Sequence, residues 1–188
     1  MLAQMVPEDG ELFAVEPNDH RIKLLQENIN RMGVTEKVTV IPGKISELVE
    51  QNPGTFRGIL VDAPCSGTGV IRRHPDIRWN RRLQDLMAYQ RQQLEILQQA
   101  ARLLKPGGVL VYVTCSMEPE ENEQVAEIFL ATNPEFYITD ASGFLPPAAT
   151  GLVSPEGFFS STPADGVDGF FAVRLERAAK ETVSDIVS

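Results

Sequence analysis

The chain has 188 residues, 43% of them hydrophobic, which is enough for one domain with a hydrophobic core. It lacks an apolar run of the ~18 residues that a membrane helix needs, and its N-terminus lacks a secretory pattern. We therefore expect a cytoplasmic protein without a membrane partner. The net charge of −9 argues against strong nonspecific attraction to a polyanion. Two cysteines 50 residues apart predict free thiols and no metal site.

The first half of the chain alternates short apolar runs with amphipathic segments. Residues 12–15 predict a strand that ends at Glu16, and Asn18 or Asp19 can cap the following helix, which Gly33 ends. The next predicted elements are a strand over residues 38–41, a short helix over residues 45–50 and a strand over residues 58–61 that ends at Asp62. A loop with proline and glycine follows.

The second half begins with the longest predicted helix, over residues 83–104, which the Lys-Pro-Gly-Gly segment at 105–108 ends. Then follow a strand over residues 109–113, a helix from about Pro119 to Leu130, a loop over residues 142–167 and a strand over residues 169–175. Alternating strands and helices indicate right-handed βαβ units, so we predict an α/β fold with a mainly parallel sheet. We place one domain at residues 1–177 and a flexible tail at residues 178–188.

Three predicted strands lead into side chains that can carry chemistry, namely Glu16, Asp62 and Cys115. In parallel sheets, ligands bind at the C-terminal ends of the strands. Glu16 can accept hydrogen bonds from the ribose hydroxyls of a nucleotide, or it can simply cap the helix that follows. Both interpretations of Glu16 stay open at this stage.

The loop DAPCSGTG at residues 62–69 follows a buried strand. Pro64 makes the turn rigid, and the two glycines let the backbone approach a ligand or adopt positive φ. A carboxylate and a thiol on a rigid turn suit base recognition and proton transfer; the alternative is a plain turn with a small buried cysteine. If the strands before the two cysteines are neighbours, about 4.8 Å apart, the thiols of Cys65 and Cys115 meet at one edge of the sheet.

Basic residues are concentrated in one stretch of this acidic chain. Five of the 17 lysines and arginines, together with a histidine and the only tryptophan, fall within 11 residues: Arg72, Arg73, His74, Arg78, Trp79, Arg81 and Arg82. We call residues 72–82 the basic segment. It can be a solvated loop that leads into a helix, or a surface whose arginines contact phosphates while the tryptophan stacks on a base.

Several motifs together resemble the Nop/Sun family of RNA 5-methylcytosine methyltransferases. They are DAPCSGTG at 62–69, VIRRHPD at 70–76, TCS at 114–116 followed by PEEN at 119–122, and DGFF at 168–171. The similarity spans residues 12–175 and is greatest to the Sun/Fmu type, which modifies bacterial small-subunit ribosomal RNA. It implies a Rossmann-like class I methyltransferase fold, S-adenosylmethionine as cofactor and RNA as substrate.

The resemblance also implies roles for individual residues. Cys115 is the nucleophile that adds to carbon 6 of cytosine, and Cys65 helps to remove the proton from carbon 5 and to release the enzyme. Asp62 contacts the cytosine and lies beside the cofactor, which Glu16 also binds. The residues assigned to RNA contact are Arg72, Arg73, His74, Arg78 and Trp79. The N-terminus of the helix after Cys115 can lower the pKa of that thiol, while three nearby glutamates oppose this effect.

The chain departs from the family pattern at two places. The family's first core strand and glycine-rich cofactor loop should precede residue 2, so we expect a domain that is truncated at its N-terminus and lacks that strand. Lys44 stands where the family has an acidic residue near the adenine, and a lysine cannot accept hydrogen bonds. We therefore expect weak binding of S-adenosylmethionine by this chain alone. Strand edges without partners would favour self-association.

Two other functions remain possible from the sequence. The chain can be a catalytically silent fragment that binds RNA or protein, because both departures affect the cofactor rather than the cysteines. It can also be a DNA cytosine-5 methyltransferase, a class that takes its nucleophile from a Pro-Cys loop and would assign that role to Cys65. The second cysteine motif and the basic segment favour RNA as the substrate.

Overall fold

The computed structural model describes residues 2–179, which form two compact units divided between Gln51 and Asn52. The helices are α1 (Leu2–Met5), α2 (Asp19–Arg31), α3 (Ile45–Gln51), α4 (Ile77–Asn80), α5 (Leu83–Leu103) and α6 (Glu123–Thr132). The strands are β1 (Leu12–Glu16), β2 (Val38–Pro42), β3 (Phe56–Asp62), β4 (Leu104–Thr114), β5 (Phe136–Ile138), β6 (Phe158–Ser161) and β7 (Phe170–Arg177). The α/β prediction is confirmed.

The N-terminal unit contains a two-stranded parallel sheet, in which β1 pairs with β2 from Leu12 opposite Val38 to Glu16 opposite Pro42. The helix α2 connects these strands. Its N-cap is Asn18, whose side-chain oxygen accepts hydrogen bonds from the backbone N–H groups of His20 and Arg21. These bonds satisfy two of the donors that every helix start leaves unpaired, which explains why the helix begins at Asp19.

The C-terminal unit contains a five-stranded sheet in the order β3-β4-β7-β5, with β6 also paired to β7. Only β3 and β4 are parallel, whereas β7 runs antiparallel to β4, β5 and β6. The sheet is therefore mixed, and our expectation of a mainly parallel sheet was too simple. Short connections explain the difference, because the strands after α6 are joined by loops and 3₁₀ turns rather than by crossover helices.

Several predicted boundaries differ from the observed ones. Helix α5 ends at Leu103, and β4 begins at once, with residues 105–108 forming an irregular stretch between the pairs Phe56–Leu104 and Gly58–Val109. The helix predicted from Pro119 starts as a 3₁₀ turn, and α6 begins only at Glu123. The loop predicted over residues 142–167 contains β6, which pairs with β7.

The core of the C-terminal unit lies where α5 packs on β3 and β4 and where α6 packs on α5. Its fully buried side chains include Leu97, Leu110, Tyr112, Phe129 and Phe171. Phe129 meets Phe136 edge-on at 5.1 Å between ring centroids, a favoured aromatic geometry. Apolar residues at helical spacing on α5 and alternating residues on β4 and β7 thus form one interior, which fixes the carboxyl ends of β3 and β4.

The predicted tail lies almost entirely outside the described residues, which end at residue 179. Of its first residues, Ala178 still donates a backbone hydrogen bond to the carbonyl of Glu135 at 2.7 Å. Within residues 2–179, every helix is too short or too polar for a membrane crossing.

Candidate active site

The carboxyl ends of β3 and β4 lie side by side and bring the two cysteine loops together. Asp62 is in register with Val113, and the next residue, Ala63, donates a backbone hydrogen bond to the Val113 carbonyl at 3.0 Å. The loops that follow place the Sγ atoms of Cys65 and Cys115 3.3 Å apart, and both thiols are half-buried. The expectation that the two cysteines meet at one edge of the sheet is confirmed.

The two thiols differ in acidity. The hydrogen bond from Cys65 lowers the pKa of Cys115 to about 7, against the opposing effects of desolvation and of the nearby Asp62 carboxylate. The same hydrogen bond raises the pKa of Cys65, and burial and the negative charge on Cys115 raise it further. Cys65 is the more buried of the two, so it keeps its proton, and its S–H group donates a hydrogen bond to the Cys115 thiolate.

The hydrogen bond from Cys65 is the largest cause of the lowered pKa of Cys115. Helix α6 begins at Glu123, and its N-cap, Asn122, bonds to Thr114 and Ser116, the two neighbours of Cys115. The expected contribution of this helix N-terminus to the acidity of Cys115 stays a prediction. Of the three glutamates expected to oppose ionisation, Glu121 has this effect on Cys115.

Two glycines on the Cys65 loop are required by its geometry. Gly67 has φ +76°, in the left-handed region that favours glycine. Gly69 packs against backbone: a Cβ there would lie 2.1 Å from the carbonyl oxygen of Gly169 and 2.9 Å from that of Cys115. The Gly69 N–H donates to the Cys115 carbonyl at 2.9 Å, and its own carbonyl accepts from Gly169 at 2.8 Å. This contact ties both cysteine loops to the start of β7.

The basic segment leaves the Cys65 loop and is fixed to it at two points. Ile77, the buried residue of α4, lies against Gly67, and the Arg81 side chain donates through Nε to the Ser66 carbonyl at 2.9 Å. Arg72 and Arg73 both pair with Asp168, whose side chain is 2% exposed.

The remaining predicted RNA contacts point outward. His74, Arg78 and Trp79 are exposed, and Trp79 is 86% accessible. Their side chains form no hydrogen bond or ion pair with the rest of the chain over residues 2–179. Trp79 and the i, i+4 pair Leu83 and Met87 are all exposed apolar side chains on or beside the start of α5.

The two predicted cofactor carboxylates lie at the ends of β1 and β3. Asp62 is exposed. In the N-terminal unit, Glu16 accepts a hydrogen bond from the Asn18 backbone at 2.9 Å, and its other oxygen lies 3.9 Å from Arg21. Asn18 is the N-cap, so Glu16 supports the cap and still offers a partly exposed oxygen. The capping and ribose-binding interpretations of Glu16 are therefore compatible.

The family model for the 16S rRNA methyltransferases RsmB/F matches residues 1–176. The chain belongs to this RsmB/F family. It is 41% identical over 170 residues to ribosomal RNA small subunit methyltransferase B of Klebsiella pneumoniae strain 342, covering 90% of this chain and 37% of that protein. The chain thus spans little more than a third of the length of such relatives.

Solved structures agree with the assignment to the RsmB/F family. The chain is similar to NSun6 from Pyrococcus horikoshii, solved with SFG, at a TM-score of 0.77 and 28% identity, covering 94% of this chain and 44% of that one. It is also similar to a methyltransferase homologue from the same organism, at a TM-score of 0.74 and 30% identity, covering 94% of this chain and 56% of that one. The methyltransferase fold implied by the sequence motifs is confirmed.

Sequence reasoning missed the polar residues beneath the cysteines of this RsmB/F family chain. Gln93 and Glu121 are completely buried, and they bond to each other and to the cysteine loops. One signal was present, because Gln93 shares a helical stripe with Leu86, Leu97 and Ala100 and so had to face the core. Glu121 had no such signal, since it lies in a turn. Asp168 was noted as part of a motif, but its pairing with two arginines was not foreseen.

The acidity of Cys115 can be measured by alkylation. With iodoacetamide, the rate of Cys115 modification should rise with pH around a midpoint near 7, because the thiolate is the reacting form. Cys65→Ala removes the largest cause of the lowered pKa and should move the midpoint upward, toward that of an ordinary cysteine. Peptide mass spectrometry assigns the modified residue. A Cys115 midpoint unchanged by Cys65→Ala would contradict this account of the pair.

Proposed function

We propose that this chain transfers a methyl group from S-adenosylmethionine to carbon 5 of cytosine in RNA, with small-subunit ribosomal RNA as the substrate. The observation that carries the proposal is the thiol pair: Cys65 and Cys115 lie 3.3 Å apart at the carboxyl ends of two parallel strands, and only Cys115 has a lowered pKa. Carbon 5 of cytosine is a poor nucleophile until a thiolate adds to carbon 6, so the reaction needs a thiolate in such a place.

In the proposed mechanism, the Cys115 thiolate forms a bond to carbon 6, and the electron pair of the carbon 5–carbon 6 double bond moves toward carbon 5. Asp62, exposed at the end of β3, contacts the amino edge of the base. Once Cys115 is bonded to carbon, its negative charge is gone, and two of the causes that raise the pKa of Cys65 are gone with it. Cys65 can then lose its proton to solvent. After carbon 5 has used its electron pair to bond the methyl group, the Cys65 thiolate removes the proton from carbon 5, the double bond to carbon 6 forms again, and Cys115 leaves as a thiolate.

The described residues fit the cofactor at two positions. Glu16 presents a partly exposed carboxylate oxygen after β1, which suits the ribose hydroxyls, and Asp62 is an exposed carboxylate after β3. When bound, S-adenosylmethionine supplies the electrophilic methyl group. The weak cofactor affinity expected of this chain remains part of the proposal, and a micromolar dissociation constant by calorimetry would contradict it.

The exposed part of the basic segment is the proposed RNA surface. A target base must leave its stack, and Trp79 offers a ring for stacking beside Arg78 and His74. The side chains of Arg72 and Arg73 stay 75% and 66% exposed while Asp168 holds them in place. Trp79→Ala should weaken RNA binding at fixed salt. An unchanged affinity of this variant for RNA would exclude Trp79 from the interface.

The direct test is methyl transfer from labelled S-adenosylmethionine to unmodified 16S ribosomal RNA, followed by nucleoside analysis. We expect 5-methylcytidine with the unaltered chain at high cofactor concentration and none with Cys115→Ala. A DNA duplex should not be a substrate, because DNA enzymes of this chemistry use the Pro-Cys loop cysteine, and here that residue, Cys65, keeps its proton. RNA binding without any methylated product would favour the rival function, a silent binding module.

Two further parts of the proposal concern the protein's surroundings. An RNA substrate of this kind implies a cytoplasmic location. Self-association through strand edges is proposed as well, because β3 is an edge strand of the five-stranded sheet within the described residues. Sedimentation of the chain at high concentration tests it, and a pure monomer would count against it.

A further inference from the structure

Glu121 is a fully buried carboxylate between the two cysteine loops. One of its oxygens accepts hydrogen bonds from the Ser66 backbone N–H at 2.9 Å and from the Gln93 amide at 3.0 Å. The other accepts from the hydroxyl of Ser66 and, at 2.6 Å, from that of Ser116. Four donors therefore use the four acceptor positions that an ionised carboxylate offers.

These bonds reach the residue next to each cysteine. Ser66 follows Cys65, and Ser116 follows Cys115, so one side chain holds both loops at the position adjacent to the thiol. The two serine hydroxyl oxygens lie 3.1 Å apart, close to the 3.3 Å that separates the two sulfur atoms. A shift of either loop would break a buried, charge-assisted hydrogen bond, which is among the strongest in proteins.

The surroundings of Glu121 are arranged to keep it in place. The Gln93 side chain donates to Glu121 and to the Pro64 carbonyl at 2.9 Å, while its own carbonyl oxygen has no hydrogen-bond partner within residues 2–179. Tyr112 donates to the Glu121 backbone carbonyl at 2.6 Å. A buried oxygen without a hydrogen-bond partner lowers stability. The Gln93 side chain is therefore oriented so that its NH₂ group bonds to Pro64 and Glu121, although its own carbonyl oxygen is left without a partner among the described residues.

A negative charge here opposes ionisation of the nucleophile, because Glu121 raises the pKa of Cys115. The carboxylate is therefore not placed to activate the thiol directly. Its geometric effect is the opposite one, since it keeps Cys65 within hydrogen-bond distance of Cys115, and that bond is the largest cause of the lowered pKa. The position of Glu121, rather than its charge, therefore accounts for its contribution to the lowered pKa of Cys115.

We propose that Glu121 is a positioning residue that holds the two cysteine loops together, so that the sulfur atoms of Cys65 and Cys115 stay in contact. The inference rests on the proposed function, in which the two thiols act in turn. Its test needs neither RNA nor cofactor, and therefore its failure can be distinguished from a failure of that function.

The test measures how fast the two thiols pair. Diamide accepts two electrons and two protons as the thiols become one disulfide, and thiols left after an acid quench are counted by mass after maleimide labelling. Glu121→Ala should pair at least about tenfold more slowly than the unaltered chain, because the sulfurs lose their fixed proximity. Glu121→Gln should return the rate to within about threefold, because its amide oxygen still accepts and the serine hydroxyls can turn to accept from its NH₂ group.

A second measurement separates position from charge. In Glu121→Ala the alkylation midpoint of Cys115 should rise, because the Cys65 hydrogen bond is weakened, whereas in Glu121→Gln it should fall, because a negative charge is gone and the contact remains. If Glu121 only stabilised the fold, the alkylation midpoint of Cys115 would shift in the same direction in Glu121→Ala and Glu121→Gln. Leu97→Ala, which removes fully buried packing on α5, is the matched control and should leave pairing unchanged.

If Glu121→Ala does not fold, Ser116→Ala replaces it, since that change removes the bond from the Cys115 loop to Glu121 and leaves the carboxylate and its other three bonds in place. It should also slow pairing. Thiol pairing at the rate of the unaltered chain in a folded Glu121→Ala or Ser116→Ala protein would overturn the proposal.

Discussion

Cys65→Ala should accumulate a covalent complex with RNA in the presence of S-adenosylmethionine, and Cys115→Ala should form none. The reason lies in the order of the two steps. In the proposed mechanism, Cys115, with its pKa lowered to about 7, forms the bond to carbon 6. Cys65 would act only afterwards, when the proton leaves carbon 5 and the bond to Cys115 breaks. Without Cys65 the adduct forms and persists.

The covalent complex of Cys65→Ala with RNA can be detected in a denaturing gel as a slowly migrating band that contains both protein and labelled RNA. We expect methyl transfer by Cys115→Ala to fall at least about a thousandfold, as when a nucleophile is removed from other enzymes of covalent mechanism. The double variant is the control and should show no band. If the band appeared in Cys115→Ala instead, Cys65 would be the nucleophile, and the chemistry would follow the DNA enzyme pattern.

Gly69→Ala should destabilise the C-terminal unit severely. The added Cβ would lie 2.1 Å from the Gly169 carbonyl oxygen, so backbone rather than a flexible side chain must move. Overpacking in a tight interior costs roughly 1–3 kcal/mol and occasionally more, and a backbone clash belongs at or above the upper end. For a chain of this size we expect the melting temperature to fall by about 6–12 °C, measured by calorimetry.

The matched control is Gly143→Ala. A Cβ at Gly143 meets no atom within 4 Å, and its φ is not positive, so its effect should stay within about 0.5 kcal/mol. In a Gly69→Ala protein that still folds, thiol pairing should also be slower, because the Gly69 N–H donates to the Cys115 carbonyl. A melting temperature of Gly69→Ala equal to that of Gly143→Ala would show that the close contact between Gly69 and Gly169 is not needed for stability.

Much of the site could be predicted because it depends on local sequence and on one rule of sheet geometry. The strands that end at Glu16 and Asp62 were recognised from apolar runs followed by an acidic residue. The meeting of Cys65 and Cys115 followed from placing their two strands side by side, and the observed register bears this out. Neither step required knowledge of a distant contact.

The parts that were missed depend on distant partners. Strand β6 has only four residues, and nothing local distinguishes it from a loop until β7 pairs with it. Glu121 reads as one acidic residue among several in a polar turn, yet it is completely buried. Its burial is possible only because Ser66 and Gln93 donate to it from elsewhere in the chain, and a sequence pattern does not reveal such donors.

The position of strand β7 in the chain affects how the protein folds during its synthesis on the ribosome. It is the last strand within residues 2–179, yet β4 occupies one of its edges while β5 and β6 share the other. During synthesis, these three strands emerge before the strand that joins them. Chain elongation must therefore pass residue 177 before the sheet can close, and until then the nascent polypeptide exposes strand edges to other chains and chaperones.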